Sequence, residues 1–284
     1  MPEFGRLVES DVATWASALF LSLVIIAAAF GPALTPYDPD KADLHSARQA
    51  PSFAHPLGTE AQGGDVLSKV IYGARPTVVV AVSVSVATVV IGFVLGIIGG
   101  YYGGVLDAAI MRLVDIMLAF PALLLNIILV AVLGAGFRAL FLALTITGWA
   151  ATARITRGLV LSLVNTQYVA GARALGAGDV RIVFAHIVPN CLSTIIVVFA
   201  MRAGSTVLAA GSLNYLGLGA PNDTNSWGAM VNLGQNDIVT AWWWPIFPAT
   251  AIALTVMSLN LIADAIRDYL DPRMKGHPVE ERTE

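Results

Sequence analysis

Long apolar runs constrain the fold of this chain more than any other feature of its sequence. Six stretches are long and apolar enough to cross a lipid bilayer as helices, since the hydrocarbon core takes about 20 apolar residues. They cover residues 13–34, 76–100, 112–134, 137–155, 191–213 and 243–264. The runs are continuously apolar and lack the alternating pattern of outer-membrane strands. The sequence therefore predicts an all-α membrane protein with six transmembrane helices.

The composition points to the same class. Hydrophobic residues make up 57% of the chain and charged residues only 12%, about half of the roughly 25% that soluble proteins carry. Most of the outer surface must therefore contact membrane lipid. No basic cluster indicates nucleic-acid binding. Cys191 is the single cysteine, which excludes an intrachain disulfide.

The first run has an alternative interpretation as a cleaved signal peptide. Signal peptides begin with basic residues and have a short apolar segment. Here Glu3, Glu9 and Asp11 precede a longer run. Length and charge both favour a transmembrane helix.

Basic residues predict the orientation, because cytoplasmic connections are enriched in arginine and lysine. The connection after the fourth span and the C-terminal end each carry four: Arg154, Arg157, Arg173 and Arg181, then Arg267, Arg273, Lys275 and Arg282. The connection 214–242 carries none. The loop before the second span opposes this assignment, since it contains Lys41, Arg48, Lys69 and Arg75. Its length and its acidic residues weaken the objection.

These placements divide the chain into five predicted parts. They are a cytoplasmic tail (1–12), a first transmembrane helix (13–34), an external loop (35–75), a five-helix core (76–264) with a cytoplasmic loop at 156–190, and a cytoplasmic tail (265–284). Both termini are expected in the cytoplasm.

The segment 168–190 is basic and rich in small residues although it lies between two apolar spans. Its first part predicts a short helix of low bulk, after which Gly176 and Gly178 allow a tight turn. Asp179 is a candidate N-cap for a second short helix that reaches about Ile187, and Pro189 is expected to interrupt the pattern. Such a helix–turn–helix suits docking on another protein, and equally a basic helix on lipid headgroups.

Arg202 lies deep in the fifth span, where a charged side chain costs roughly 2.5–3.5 kcal/mol on insertion scales. We expect it to line the translocation path and to meet an anionic part of the cargo. The alternatives are a side chain that reaches toward the cytoplasm and a pair with an acid of another subunit.

Other polar and aromatic residues of the spans have simpler interpretations. Asp115 and Asp264 are expected to pair locally, with Arg112 and Arg267. Asn126 and Asn260 predict interhelical hydrogen bonds, and Pro121 and Pro248 allow bends in their helices. Three tryptophans at one span end predict contact with headgroups: Trp242, Trp243 and Trp244.

The segment 168–190 resembles the cytoplasmic loop of ATP-binding-cassette (ABC) import permeases, in which Glu-Ala-Ala precedes a glycine and then Ile-Leu-Pro. The corresponding residues here are Ala170-Gly171-Ala172, Gly176 and Ile187-Val188-Pro189, so the glutamate and the middle alanine are replaced. Four further blocks are similar to the second permease subunit of dipeptide, oligopeptide and nickel importers: HPLGTEAQGGDVLSKVIYGAR, RLVDIMLAFPALLL, LNYLGLGAPNDTNSWGAM and WWWPIFPATAIALTVMSLNLIADAIRDYLDPR.

This resemblance implies a type I ABC importer permease in the cytoplasmic membrane of a bacterium or archaeon. A homologous permease, two ATPase subunits and an external solute-binding protein are the implied partners. ATP and Mg²⁺ would bind the ATPases, and no cofactor is expected on this chain, which lacks a G-x-x-x-x-G-K-[ST] loop. The residues implied to couple to the ATPases are Ala170, Gly171, Ala172, Arg173, Gly176, Asp179, Ile187 and Pro189.

The implied cargo is a di- or oligopeptide, with nickel or another small solute as the alternative. An ion-coupled secondary transporter is a competing class, but clear inverted repeats or midplane acids are not evident. A membrane-embedded enzyme lacks support, since His-Glu-x-x-His and Gly-x-Ser-x-Gly motifs are absent from the sequence.

Overall fold

A computed structural model describes residues 2–220 and 225–270, with side chains from residue 12 onward. The helices are α1 (Pro2–Leu34), α2 (Val66–Tyr102), α3 (Gly104–Ala119), α4 (Ala122–Leu133), α5 (Phe137–Val164), α6 (Gln167–Ala174), α7 (Asp179–Ile182), α8 (Val188–Tyr215), α9 (Trp227–Gly234) and α10 (Trp243–Leu270). One π-helical turn, Val183–Ile187, joins α7 to α8. The predicted all-α class is confirmed.

Five helical segments are long and apolar enough to cross a membrane: Val12–Leu34, α2, α5, Asp179–Tyr215 and α10. α3 and α4 together are also long and apolar enough for a span, but they are bent by 92° relative to each other. The predicted span 112–134 is therefore divided into two helices by a sharp bend at Pro121. Phe120 is extended between the two helices, because a following proline disfavours helical geometry, and Pro121 itself lacks an N–H donor.

Several predicted boundaries also move. α2 begins at Val66, ten residues before the predicted start, because Asp65 caps it: its Oδ2 accepts hydrogen bonds from the backbone N and the Oγ of Ser68, both at 2.8 Å. Pro76 lies inside this helix. α5 continues to Val164, so the connection after it is shorter than 156–190.

The predicted tails are partly helical. α1 starts at Pro2, within the predicted tail 1–12, and α10 extends to Leu270, within the predicted tail 265–284. Arg273, Lys275 and Arg282 lie outside the described residues, as do the side chains of Glu3, Glu9 and Asp11.

A row of glycines brings α2 and α5 together. A Cβ atom at Gly92 would lie 2.6 Å from Cβ of Thr152, and one at Gly96 would lie 2.5 Å from Cβ of Thr156. The next glycine of the row, Gly100, packs against α5 in the same way, one turn farther along. Side chains at these positions would force the helices apart. Because the glycines recur every four residues, they lie on one face of α2 and allow the two backbones to approach closely along it.

Ion pairs fix α3 against α5. Arg157 binds both carboxylate oxygens of Asp107, at 2.5 and 2.6 Å. Arg154 binds Asp115. The expectation that Asp115 pairs with Arg112 is therefore wrong, because its partner comes from a neighbouring helix and not from its own.

The interhelical hydrogen bond predicted for Asn126 is confirmed. Thr147 Oγ1 on α5 donates to Asn126 Oδ1 on α4 at 2.8 Å. It ties the second arm of the bent pair to α5.

The bundle has two ends, which we name by their landmarks. The α6 end holds the last residues of α2, α5 and α10 and the start of α7. The Trp243 end holds the last residues of α1 and α8, the start of α2 and α10, and the segment 35–65.

At the Trp243 end the segment 35–65 is held by polar contacts. Trp243 Nε1 donates to the carbonyl of Thr59 at 3.0 Å, and Arg48 Nε binds Asp237 at 2.9 Å. Trp243 and Trp244 are buried, so the prediction that they contact headgroups is wrong. Trp242 is half exposed and keeps that interpretation.

Replacing Gly96 by alanine tests the contact between α2 and α5. Overpacking typically costs 1–3 kcal/mol, so we expect the unfolding midpoint of the detergent-solubilised full chain to fall by roughly 2–10 °C. The matched control is Gly158→Ala on α5, because Gly158 faces open space and alanine favours a helix by about 1 kcal/mol over glycine. A fall of equal size in both variants would contradict the packing role of Gly96.

Candidate docking segment and membrane cavity

The segment from α6 through the π-helical turn is anchored by buried apolar side chains. Val169, Ile182 and Ile187 are fully buried and pack in one cluster with Val160 of α5 and Cys191 of α8. Ile187, one of the predicted coupling residues, therefore anchors the segment and is not part of its surface.

The turn after α6 satisfies the end of that helix with its own backbone. Gly176 N donates to the carbonyl of Arg173 at 3.0 Å, and Ala177 N donates to the carbonyl of Ala172 at 3.1 Å. This is a Schellman motif, in which the residue after the cap is left-handed. Gly176 has φ +83°, a conformation that glycine adopts without strain. The tight turn predicted at Gly176 is observed.

Asp179 has a different role from the predicted one. It is the first residue of α7, and Gly178 occupies the N-cap position. Its Oδ1 accepts a hydrogen bond from the hydroxyl of Tyr101 at 2.7 Å. Tyr101 lies at the end of α2, so this bond ties the turn to the helix that packs on α5. Nothing in the sequence near Tyr101 indicates this role, because its partner lies 78 residues farther along the chain.

Pro189 does not interrupt the helix before the fifth span, and that prediction is wrong. Residues 179–215 form one continuous helical segment. Inside an α-helix, a proline removes a hydrogen bond and its ring crowds the preceding turn. Here the turn before it is π-helical, with Val188 N bonded to the carbonyl of Val183, and Pro189 lies at the start of α8. A wider turn accommodates the ring.

The rest of the segment is exposed. The exposed predicted coupling residues are Ala170, Gly171, Arg173, Gly176, Asp179 and Pro189, and Ala172 is half-buried. Large apolar side chains stand beside them: Leu175 is 91% exposed, and Val180 and Phe184 are 69% exposed. A surface cavity of about 780 Å³ lies against Tyr102, Arg181 and Phe184. Apolar side chains that stand out in this way are typical of a protein interaction site.

Arg202 lies midway along α8 and is half-buried. It lines a cavity of about 410 Å³ between α5, α8 and α10. No carboxylate among the described residues forms an ion pair with it. The structure therefore does not bring Arg202 together with the coupling residues, and the two predicted sites are separate.

An all-α membrane bundle with an exposed, partly apolar segment at one end fits the permease class that the sequence motifs resemble. We call this segment, residues 167–187, the docking segment. Residues 92–276 match the model of the family described as "binding-protein-dependent transport system inner membrane component". Residues 10–51 match the N-terminal transmembrane domain of oligopeptide transport permease C.

Curated relatives match over nearly the whole chain. The glutathione transport system permease protein GsiD of Escherichia coli O6:K15:H31 (strain 536 / UPEC) is 41% identical over 275 residues, which are 96% of this chain and 91% of that protein. GsiD of Shigella flexneri serotype 5b (strain 8401) is 42% identical over the same shares of the two chains.

The chain therefore belongs to the binding-protein-dependent inner membrane permeases, and it is the transmembrane permease subunit of an ABC importer. The resemblance inferred from the sequence motifs is confirmed, as is the multi-pass placement in an inner membrane.

Replacing Gly176 by alanine tests the turn. A left-handed conformation costs a residue with a Cβ roughly 1–2 kcal/mol, so we expect faster proteolysis of the 165–180 segment in the membrane-embedded chain. Gly178→Ala is the matched control, because Gly178 is equally open to solvent but has φ −73°. Equal protease sensitivity of the two variants would contradict the requirement for glycine at 176.

Proposed function

We propose that this chain forms, with a homologous permease, the translocation path of an importer for short peptides. Two ABC ATPases would bind its α6 end and hydrolyse ATP with Mg²⁺, and a solute-binding protein would deliver cargo to the Trp243 end. The support for peptides is that relatives 41–42% identical to this chain are named glutathione transport permeases, and glutathione is a tripeptide.

The observation that carries this proposal is the construction of the docking segment. Its outer face presents Leu175, Val180 and Phe184, while Val169 and Ile182 anchor its inner face in the bundle. A segment exposed on one face and anchored on the other passes the movement of a bound partner to the spans. Because α7 continues into α8, a displacement of the ATPases would tilt a membrane helix directly.

The replaced glutamate of the family motif fits this account. Ala170 is exposed and offers no charge, so docking would depend on the apolar side chains and on Arg173 and Arg181, which are both exposed. Arginine can bind a carboxylate of the ATPase through two parallel hydrogen bonds. The energy of docking then comes from burial of Leu175 and Phe184 and from these pairs.

The charge distribution supports an orientation with the α6 end in the cytoplasm and both chain termini on that side. Arg173, Arg181 and Arg267 are exposed at this end. At the opposite end, Lys69 is paired with Glu60 and Arg48 with Asp237. Two of the four basic residues that opposed this orientation in the sequence are therefore held in ion pairs within the Trp243 end. The orientation rests on the exposed arginines of the α6 end.

ATP would act by changing the populations of two arrangements of the bundles. When ATP draws the two ATPases together, their docked segments follow and the permeases open outward. Release of the products restores the inward-open state. A shift from about 1:99 to 99:1 takes roughly 5.5 kcal/mol of differential binding.

A charge placed on the docking face should release the ATPases. Leu175→Glu puts a carboxylate at the centre of the apolar face, and burying an unpaired charge is costly. We expect the yield of ATPase that co-purifies with the tagged chain to fall at least about tenfold, equivalent to 1.4 kcal/mol. Val239→Glu is the matched control, since Val239 is also 91% exposed but lies at the Trp243 end. Retention of the ATPases by the Leu175 variant would refute the docking assignment.

The transport proposal is tested with the complete complex in proteoliposomes. We expect uptake of labelled glutathione or of a labelled dipeptide to require the binding protein and Mg-ATP, and to resist collapse of the proton gradient. Uptake that follows the proton gradient without ATP would instead establish an ion-coupled transporter. ATP-driven uptake of another solute with no peptide uptake would reject the peptide assignment alone.

A further inference from the structure

Two adjoining cavities form a groove along α8 that carries positive charge. The first, of about 410 Å³, is lined by Arg202 and by Asn260 of α10. The second, of about 450 Å³, is lined by Arg267 near the end of α10 and by the hydroxyl-bearing Ser193 and Thr194. Ile155, Val198 and Met201 line both cavities, so the groove runs from the middle of α8 toward the α6 end.

The depth of Arg202 follows from helix geometry. Fourteen residues separate it from the start of α8 and thirteen from its end, which correspond to about 20 Å in each direction at 1.5 Å per residue. It is therefore near the middle of the membrane, where an arginine must face water, a ligand or an acid and not lipid tails.

Two arginines of α5 show what a structural role looks like in this chain. Arg157 binds both oxygens of Asp107, and Arg154 binds Asp115. Arg202 has no such carboxylate within the described part of the chain, and none of the described residues that line the two cavities is acidic. The lining of these two cavities therefore carries no acid. Asp264 of α10 lines the adjoining cavity that shares Asn260 with the groove.

Asn260 completes the arrangement from the facing helix. It packs close to α8, since a Cβ atom at Gly204 would lie 3.1 Å from Asn260 Oδ1. Its side-chain amide has two N–H donors, and the arginine fork has five. Ser205, also in the lining, donates its hydroxyl to the carbonyls of Met201 and Arg202 at 3.1 Å, so the donors directed to a ligand come from Arg202 and Asn260.

We propose that Arg202 and Asn260 form a carboxylate-binding site midway along the translocation path, and that Arg267 provides a second cationic position at the cytoplasmic exit. The inference rests on the proposed import of peptides and names the part of the cargo that the permease itself recognises. A carboxylate accepts two parallel hydrogen bonds from a guanidinium and a further one from an amide. Passing it between two weak sites favours release, because a single tight site would retain it.

The test compares Arg202→Gln, Arg202→Lys and Arg112→Gln in the complete complex, reconstituted with its binding protein. Arg112 is the control because it is an exposed arginine of α3 outside the groove. We expect Arg202→Gln to lower glutathione uptake per assembled complex by about tenfold, the effect of losing one charge-assisted hydrogen bond. Assembly of the complex should not change. The lysine variant keeps the charge but not the paired hydrogen bonds, so it should lose less uptake than the glutamine variant. Arg112→Gln should match the wild type in uptake and in basal ATP hydrolysis.

A second measurement uses the ethyl ester of the glycine carboxylate of glutathione. The binding protein is the same for every variant, so a smaller effect of Arg202→Gln on ester uptake than on glutathione uptake reports recognition by the permease. If the wild-type complex does not import the ester, the proposal is decided by glutathione uptake alone, compared between Arg202→Lys and Arg202→Gln.

Three results would overturn the proposal. One is unchanged glutathione uptake in Arg202→Gln. Another is equal loss in the lysine and glutamine variants. The third is loss of the partner permease from the purified complex, which would show that Arg202 pairs with an acid of that subunit. Absence of ATP-driven peptide uptake by the wild type would instead reject the proposed function, and the two failures are therefore distinct.

Discussion

The close contact between α2 and α5 is the interaction on which the rest of the bundle depends. Lipid tails are as apolar as leucine, so burial of apolar surface does little to hold membrane helices together, and dispersion forces at short range must do so. Gly92, Gly96 and Gly100 allow that range by removing side chains from one side of the contact. α5 is then the platform for the neighbouring elements. α3 binds it through Asp107, α4 through Asn126, and the docking segment through Val169 and Ile182.

The same two helices also hold the docking segment at the α6 end of the bundle. Tyr101 ends α2 and binds Asp179 at the start of α7, while Val160 of α5 packs in the same cluster as Ile182 and Ile187. The two helices that form the tightest pair therefore hold the segment from two sides. Its buried side chains and its exposed side chains are only a few residues apart.

Much of this could be predicted from sequence because hydropathy is a local property. The six apolar runs, the short helix at 167–174 and the turn at Gly176 depend on residues adjacent in the chain. The misses have long-range causes. Lys69 makes the start of α2 look too polar for a membrane helix, although its charge is paired with Glu60. Arg154 and Arg157 likewise make the end of α5 look polar, although both are paired with acids of α3. Hydropathy counts a charge without its partner. The two prolines show a local cause instead. The chain bends sharply at Pro121, but the helix continues through Pro189 because the turn before it is π-helical.

The continuous helical segment from Asp179 to Tyr215 has a mechanical consequence. Its 37 residues would extend about 55 Å at 1.5 Å per residue. A rod of that length amplifies rotation: pivoting by about 5° at one end carries the other end through about 5 Å, one turn of helix. Arg202 lies between the two ends and would travel an intermediate distance along the same arc. Under the proposed coupling, a small rotation imposed at the docking face would be converted into a displacement comparable to the size of an amino-acid side chain.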